Sequence, residues 1–194
     1  MNPARLASDT QVVADTQRWV QRAVIGLNLC PFAKAVEVKR QVRYVVSHAS
    51  RTKALLLELE RELQHLAEAD PAMLDTTLLM APHGFADFLA FTELLERADQ
   101  LLQRMDLEGV LQIASLHPLY QFADTEADDI TNYTNRAPYP TLHLLREASV
   151  DRAVAAFPQA EMIFETNMQT LRRLGPQGWS ALGVGASAPE GDLA

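Results

Sequence analysis

The chain has little cysteine, no run of basic residues and no long apolar segment. Its single cysteine, Cys30, cannot form an internal disulfide, which favours a reducing compartment and a cytoplasmic location. The 17 Lys and Arg are outnumbered by 25 Asp and Glu and do not cluster, so we do not expect nucleic acid or an anionic membrane surface as a partner. There is no apolar run of eighteen residues and no basic leader with an apolar core, so we expect neither a transmembrane helix nor a secretion signal.

The composition is that of one soluble globular domain. A length of 194 residues suffices for a sizeable core, and 48% of the residues are hydrophobic. Residues 1–9 show no periodicity and are expected to form a flexible N-terminus. Residues 175–194 hold five of the eight glycines and are expected to form a flexible tail, which leaves 10–174 as the domain.

The hydrophobic periodicity alternates between helix and strand. Apolar residues at helical spacing predict helices over 10–27, 55–66 and 88–105, and β-rich runs predict strands at 42–48, 76–82 and 110–117. Two further helices are predicted near 150–157, with Ser149 as N-cap, and over 160–174, closed by Gly175-Pro176. This order favours an α/β fold with a partly parallel sheet of at least three strands and helices packed on it, with α+β as the alternative.

Each predicted strand runs into a histidine, namely His48, His83 or His117. If the strands are parallel, the three imidazoles lie at the carboxyl edge of the sheet, where ligands of open α/β sheets bind. An antiparallel middle strand would instead send His83 to the far side. The alternative interpretation is that a polar residue simply ends each strand.

Residues 115–147 differ from the rest of the chain in their density of His, Arg, Asn, Tyr and acidic residues. Within them, His143 and Glu147 are four residues apart, so they share one side in a helix and also in a strand. In the helical case Arg146 joins them. The sequence does not decide between helix and strand for 141–147, and the alternative is an ordinary solvated polar face.

The stretch 131–140 combines neutral donors, a guanidinium, two tyrosines and two stiffening prolines. Asn132, Asn135 and Arg136 are suited to hold a carboxylate or phosphate. The alternative is a long loop that uses its polar groups to satisfy its own backbone. Loops of this length without regular structure are usually functional or disordered, which favours function here.

Cys30 precedes Pro31, a residue favoured at the first position of a helix. If Cys30 is a helix N-cap, the helix dipole lowers its pKa and makes thiolate chemistry available. The alternative is that the thiol serves only as packing.

Three stretches, "GLNLCPFAKA", "LEGVLQIASLHPLYQFA" and "TNYTNRAPYPTLHLLREASV", resemble the bacterial family known as domain of unknown function 1415. The resemblance runs from the first helix to about residue 157. The family often has a His-Pro pair where this chain has Ala81-Pro82-His83, which argues against a family-wide ligand role for His83. The family has no assigned activity, but its motifs imply a site built from Asn28, Cys30, His117, Tyr120, Asn132, Asn135, Arg136, His143, Arg146 and Glu147.

These residues predict a domain that binds a small anionic metabolite, and an enzyme is one interpretation of such a domain. His117, His143 and Glu147 could form a two-His-one-carboxylate set for a divalent metal ion. Without a metal, His117 would be the general base, Glu147 would orient His143, and Cys30 would be a nucleophile. Arg136 and Arg146 would then bind the anion. The alternatives are a non-catalytic sensing domain and an interaction or oligomerisation module; the oligomeric state stays open.

Overall fold

The computed structural model describes residues 7–157 and 160–187. Helix α1 (Asp9–Trp19) continues into a π-helical turn (Val20–Ile25), so the predicted first helix changes its hydrogen-bond pattern before it ends. The remaining elements follow in this order: α2 (Ala33–Val38), β1 (Val42–Val46), α3 (Thr52–Glu68), β2 (Thr76–Met80), α4 (Phe88–Arg104), β3 (Leu111–Leu116), a 3₁₀ turn (Ile130–Thr134), β4 (Thr141–Arg146), α5 (Glu147–Ala156), a second 3₁₀ turn (Ala160–Met162) and α6 (Ile163–Ala181).

The four strands form one mixed sheet in the order β1-β2-β4-β3. Strands β1 and β2 are parallel, whereas β4 is antiparallel to both of its neighbours, so β1, β2 and β3 all run in the same direction. The predicted single α/β domain with a partly parallel sheet is therefore confirmed. The segment left open between helix and strand is a strand over Thr141–Arg146, and it lies in the interior of the sheet.

The period-two pattern of the strands divides the core between the two faces of the sheet. Leu79, Leu142 and Leu144 point to the face that α3 and α4 cover. The four leucines that α3 buries on that face, spaced at i, i+4, i+8 and i+11, are Leu55, Leu59, Leu63 and Leu66. Burial of each such leucine side chain contributes about 2 kcal/mol to the stability of the fold. The same helical spacing of apolar residues is visible in the sequence.

The opposite face of the sheet packs against α1 and the segment before β4. Leu78 and Met80 of β2 lie in a cluster with Val12 and Trp19 of α1. Tyr139, which precedes β4, is buried in the same cluster. The long connection from β3 to β4 is thereby tied to the first helix.

One predicted helix boundary is wrong because local side-chain chemistry was assigned incorrectly. Helix α5 starts at Glu147, and Ser149 is not its N-cap; the Ser149 hydroxyl instead donates to the Asp75 carboxylate. The predicted helix end at Gly175-Pro176 is confirmed, because the regular helix from Ile163 is interrupted at Gly175, whose φ of 66° suits glycine. A second helical stretch follows from Pro176 to Ala181, and we count both stretches as α6; proline is compatible with the first turn of a helix.

Residues 182–187 follow α6 and pack along α1, with Val184 buried. They belong to the predicted tail 175–194, of which 188–194 lie outside the described residues, as do residues 1–6 of the predicted N-terminal segment. None of the helices in the described part of the chain is long and apolar enough to cross a membrane.

Candidate functional site

The three strand-ending histidines lie at one edge of the sheet, as the parallel case predicts. Because β1, β2 and β3 run in the same direction, His48, His83 and His117 follow their carboxyl ends together. The rings of His48 and His83 stack with centroids 5.3 Å apart and an interplanar angle of 16°. His117 joins them through the loop after β2, since its Nε2 lies 2.9 Å from the Phe85 carbonyl oxygen.

The histidine pair also contacts the start of α1. His48 Nε2 lies 3.2 Å from Asp9 Oδ2, and both side chains are largely exposed. His83 Nδ1 is buried and has no hydrogen-bond partner among the described residues. This edge therefore presents one accessible imidazole beside a carboxylate and one polar nitrogen without a partner.

The loops after β1 and β2 touch at Gly84. A Cβ atom on Gly84 would lie 3.0 Å from the Ser50 Cα and 3.3 Å from the Ala49 carbonyl oxygen, closer than ordinary contacts between a side chain and a backbone. A larger residue would have to push the two backbones apart by a few tenths of an ångström, so their close approach favours glycine. The contact fixes the starts of α3 and α4 relative to each other.

A cleft of about 330 Å³ lies between these two helix starts. Ser50, Arg51 and Thr52 line it from the β1–α3 side, and Phe85, Asp87 and Arg97 are among the residues that line it from the β2–α4 side. Asp87 caps α4 through the Ala90 backbone N–H at 2.8 Å, whereas no described side chain caps the first turn of α3. The Ala54 and Leu55 N–H groups donate to the Arg51 carbonyl, so the Thr52 and Lys53 amides are the ones in that turn that could donate to an anion.

A larger depression of about 590 Å³ lies on the outer surface of α3, away from the strand ends. Its walls carry Arg61 and His65 together with Glu60 and Glu68 of the same helix, and Met105. A solvated helix surface has this composition, so we place the candidate site at the carboxyl edge.

His117 is fully buried, and both of its ring nitrogens have partners. Nδ1 accepts a hydrogen bond from the Leu119 backbone N–H at 3.0 Å, so Nε2 carries the proton and donates to the Phe85 carbonyl. Its ring packs between Phe88 and Phe91, each with a centroid distance of 5.2 Å. Burial lowers the pKa of His117, although the hydrogen bond to Phe85 opposes this. The neutral ring therefore links β3 to the β2–α4 loop.

His143 lies in the middle of β4, on the other face of the sheet. Thr76 Oγ1 donates to the Leu144 carbonyl at 2.6 Å, so it accepts from His143 Nε2 at 2.8 Å. Burial lowers the pKa of His143 to about 4, although part of the side chain remains accessible. The neutral ring thus has one nitrogen, Nδ1, with a lone pair outside this hydrogen bond.

The three residues predicted as metal ligands do not come together. His117 packs on the α4 side of the sheet, and His143 lies on the opposite face, opposite Ala114 and Leu78. Glu147 follows β4 and lies beside the start of β3. His117 follows the end of β3, so the six residues of that strand separate the two side chains by roughly 20 Å. Within residues 7–157 and 160–187, no group of three His, Cys, Asp or Glu side chains could hold a metal ion.

Arg146 is buried and binds backbone carbonyls at the end of α3. Its guanidinium donates to the carbonyl oxygens of Leu66 and Ala69, at 2.6 and 2.7 Å, and of Leu74, at 3.2 Å. The last carbonyls of a helix lack partners within the helix, and a cation there also stabilises the helix dipole. The Arg146 side chain thereby fixes the α3–β2 connection to β4.

Asn132 and Arg136 bind the backbone of their own loop. The Asn132 side chain accepts from the Phe122 N–H at 3.0 Å and donates to the Glu126 carbonyl at 2.8 Å. Arg136 donates to the carbonyls of Tyr120 and Ala127 and lies 4.4 Å from the centroid of the Tyr133 ring. The alternative interpretation of the sequence predicts this arrangement, because there the polar side chains of the long loop hydrogen-bond to the backbone of the loop itself.

The other residues named by the motifs lie around this loop or in the turn before α2. The Tyr120 ring packs against Phe88 and Phe122, and the Asn135 carbonyl accepts from the His117 N–H at 3.1 Å. Asn28 is exposed and has a φ of 55°, a left-handed conformation that asparagine tolerates well. Ligand-binding and catalytic roles for this set remain predictions.

Cys30 is not the N-cap of a helix. Helix α2 begins at Ala33, three residues later, and residues 31–32 form a turn whose Ala33 N–H donates to the Cys30 carbonyl. The thiol is partly accessible. The argument that a helix dipole activates it therefore does not apply.

Sequence reasoning missed Ser50, Arg51, Thr52 and Arg97, which line the cleft. A signal for the first three was available, because "SRT" occupies the junction between a strand and a helix, where hydroxyl and basic groups meet free backbone amides. Arg97 lies nine residues into α4, and only the fold brings it to the cleft.

Comparison with known proteins establishes the family and no more. No curated protein and no solved structure matches the chain. The family described as protein of unknown function, DUF1415, matches residues 11–181. The resemblance seen in the three sequence stretches is thereby confirmed, and the chain belongs to this family.

Proposed function

We propose that the protein binds a small anionic molecule, through a carboxylate or a single phosphate, in the cleft between the starts of α3 and α4. The observation that carries the proposal is that two arginines, Arg51 and Arg97, line one cleft at the carboxyl edge. Ligands of α/β sheets bind at this edge, and guanidinium groups match the geometry of oxyanions. A cytoplasmic metabolite fits the reducing compartment that the single cysteine favours.

The charge of the cleft limits the ligand. Arg51 and Arg97 are accompanied by Asp87 and Glu93, so the lining as a whole is not basic. A polyphosphate would meet two carboxylates as well as two cations. A ligand with one anionic group, held by the Ser50 and Thr52 side and by the arginines, avoids that repulsion.

Binding is proposed in preference to a particular reaction. The predicted catalytic set of Cys30, His117, His143 and Glu147 offers no converging nucleophile, base and orienting group, because His117 and His143 occupy opposite faces of the sheet. The concave cleft favours a small-molecule site over the flat surface that an interaction module would need.

The test is a titration followed by nuclear magnetic resonance. Acetate, succinate and inorganic phosphate are added separately to uniformly ¹⁵N-labelled protein, and the amide shifts are recorded. We expect saturable changes confined to residues 50–53, 84–90 and 93–97, which contain the lining of the cleft. Arg97→Ala should weaken this binding by about tenfold to a hundredfold, because it removes one charged hydrogen-bond donor.

Arg104→Ala is the matched control, since Arg104 is an exposed arginine in the last turn of the same helix. It should leave the titration unchanged. Non-saturating shifts spread over arginines throughout the surface, or equal affinity in the Arg97 variant, would rule out the cleft as the binding site.

A further inference from the structure

The carboxylate of Asp15 is a buried junction between three parts of the chain. It has no exposed surface, and it accepts from Tyr139 Oη at 2.8 Å and from Ser187 N and Oγ at 2.8 and 2.7 Å. Gln11 also donates to it, at 2.8 Å, and Arg18 forms an ion pair with it. Asp15 thus joins α1, the segment before β4 and the end of the described chain.

Residues 182–187, which we call the strap, are bound along their length to α1 and to the π-helical turn that follows it. The Leu182 carbonyl accepts from Arg22 at 2.9 Å, and the Gly183 carbonyl accepts from Arg18 at 2.8 Å. Val184 is 3% exposed and lies in the cluster that contains both tryptophans. The strap has one fully buried apolar anchor, Val184, while Leu182 is partly buried against the same cluster and the remaining contacts are polar. So small an apolar contact allows the strap to open without the core unfolding.

A path of hydrogen bonds through Asp15 connects the strap with the carboxyl edge. Tyr139 shares the Asp15 carboxylate with the strap, and the next residue, Pro140, accepts from the Ala81 N–H at 2.8 Å. Ala81 leads directly to Pro82 and His83 at the end of β2. The same helix reaches this edge at its start, where Asp9 contacts His48.

We infer that docking of the strap on Asp15 holds residues 137–140 against the end of β2, and that release of the strap loosens the carboxyl edge and weakens ligand binding there. The effect on binding rests on the function proposed above, whereas the effect on residues 137–142 does not. The strap is then a built-in regulator of the site, and its release is a local opening.

The experiment uses the full chain and hydrogen exchange followed by mass spectrometry. In Val184→Asp, docking would bury a carboxylate in an apolar cluster, so the strap should remain undocked. We expect exchange to rise by about tenfold or more in residues 182–187 and also in 137–142, with unchanged exchange in α3. Ser180→Ala, an exposed residue at the end of α6, is the control and should match the parent protein.

Tryptophan fluorescence gives an independent readout, because Trp19 and Trp179 belong to the cluster that Val184 completes. A second variant, Asp15→Asn, weakens docking of the strap without adding bulk. Hydrogen exchange should therefore rise in residues 182–187 and 137–142 of this variant as well. Faster exchange confined to 182–187 in both variants would refute the coupling. Exchange that is unchanged in both segments would refute docking through Val184 and Asp15.

A titration of the Val184→Asp variant with acetate, succinate and phosphate separates the two proposals. Weakening by about tenfold relative to the parent protein supports regulation of the site. Equal saturable binding in both proteins refutes the regulation and leaves the site intact. Absence of saturable binding in the parent protein refutes the proposed site, while the exchange data still decide whether the strap holds residues 137–142.

Discussion

Replacement of Arg146 by alanine removes a guanidinium that donates to three backbone carbonyls at the end of α3 and before β2. These carbonyls belong to Leu66, Ala69 and Leu74, at distances of 2.6, 2.7 and 3.2 Å. The Arg146 side chain is 8% exposed, so the carbonyls would lose a buried partner. A buried hydrogen bond to a charged group contributes about 1.5 kcal/mol or more, and three of them would contribute about 4.5 kcal/mol.

Water can enter the vacated space and donate hydrogen bonds to some of these carbonyls. The expected decrease in the free energy of unfolding is therefore about 3–4 kcal/mol. Arg146→Lys should recover less than half of it, because one ammonium group cannot match three donor directions of a planar guanidinium. Urea denaturation followed by far-UV circular dichroism measures both values.

Arg152→Ala is the control, since Arg152 is exposed and its guanidinium contacts Ser149. It should change stability by less than about 0.5 kcal/mol. A loss of less than about 1 kcal/mol in Arg146→Ala, accompanied by loss of anion binding in the parent-like fold, would show that Arg146 is a ligand residue and that the structural argument is wrong.

Two further predictions concern pH and backbone conformation. Because burial lowers the folded-state pKa of His143 to about 4 from 6.5, the unfolded chain binds more protons between these values, and stability should fall as pH falls through this window. The loss of stability due to His143 is on the order of 2–3 kcal/mol. Urea titrations at pH 7 and pH 4.5 should show that His143→Gln removes this loss; a variant with the same pH dependence as the parent protein would contradict the prediction. Gly109→Ala should lower the free energy of unfolding by about 1 kcal/mol through the φ of 76° alone, since a Cβ would meet no atom within 4 Å. Thermal unfolding measures this loss, and a variant as stable as the parent protein would contradict the prediction.

The sequence was sufficient for the parts of the fold that local patterns dictate. Strands β1, β2 and β3 lie within two residues of their predicted ends, because each is an apolar run bounded by turns or polar residues. Their common direction follows from helical crossovers α3 and α4, and it places His48, His83 and His117 at one edge. The location of the proposed site could therefore be predicted in part from the sequence.

The position of β4 could not be predicted in the same way. Residues 117–140 separate it from β3, and nothing local shows that a strand after so long a connection inserts between β2 and β3. The insertion places His143 on the face of the sheet opposite His117. The metal-ligand hypothesis fails for this reason, although the residue types were suitable.

The polar loop shows a second limit. Asn132 and Arg136 have the chemistry of an anion site, but a buried loop needs the same donors and acceptors for its own carbonyls and amides. Composition does not distinguish the two uses. Of the two cleft arginines, Arg51 stands at a strand–helix junction that could have indicated it, whereas Arg97 lies in ordinary helical sequence and has no local signal.

The sheet order has a consequence for how the protein is made. Among the strands that the structure describes, β4 is the last to be synthesised, yet it is the partner of β3 and covers one side of β2. A nascent chain that ends before Thr141 therefore exposes the hydrogen-bonding edges of both Thr76–Met80 and Leu111–Leu116. On the ribosome, the interval between synthesis of β3 and emergence of β4 is the period in which this chain is most vulnerable to pairing with another molecule.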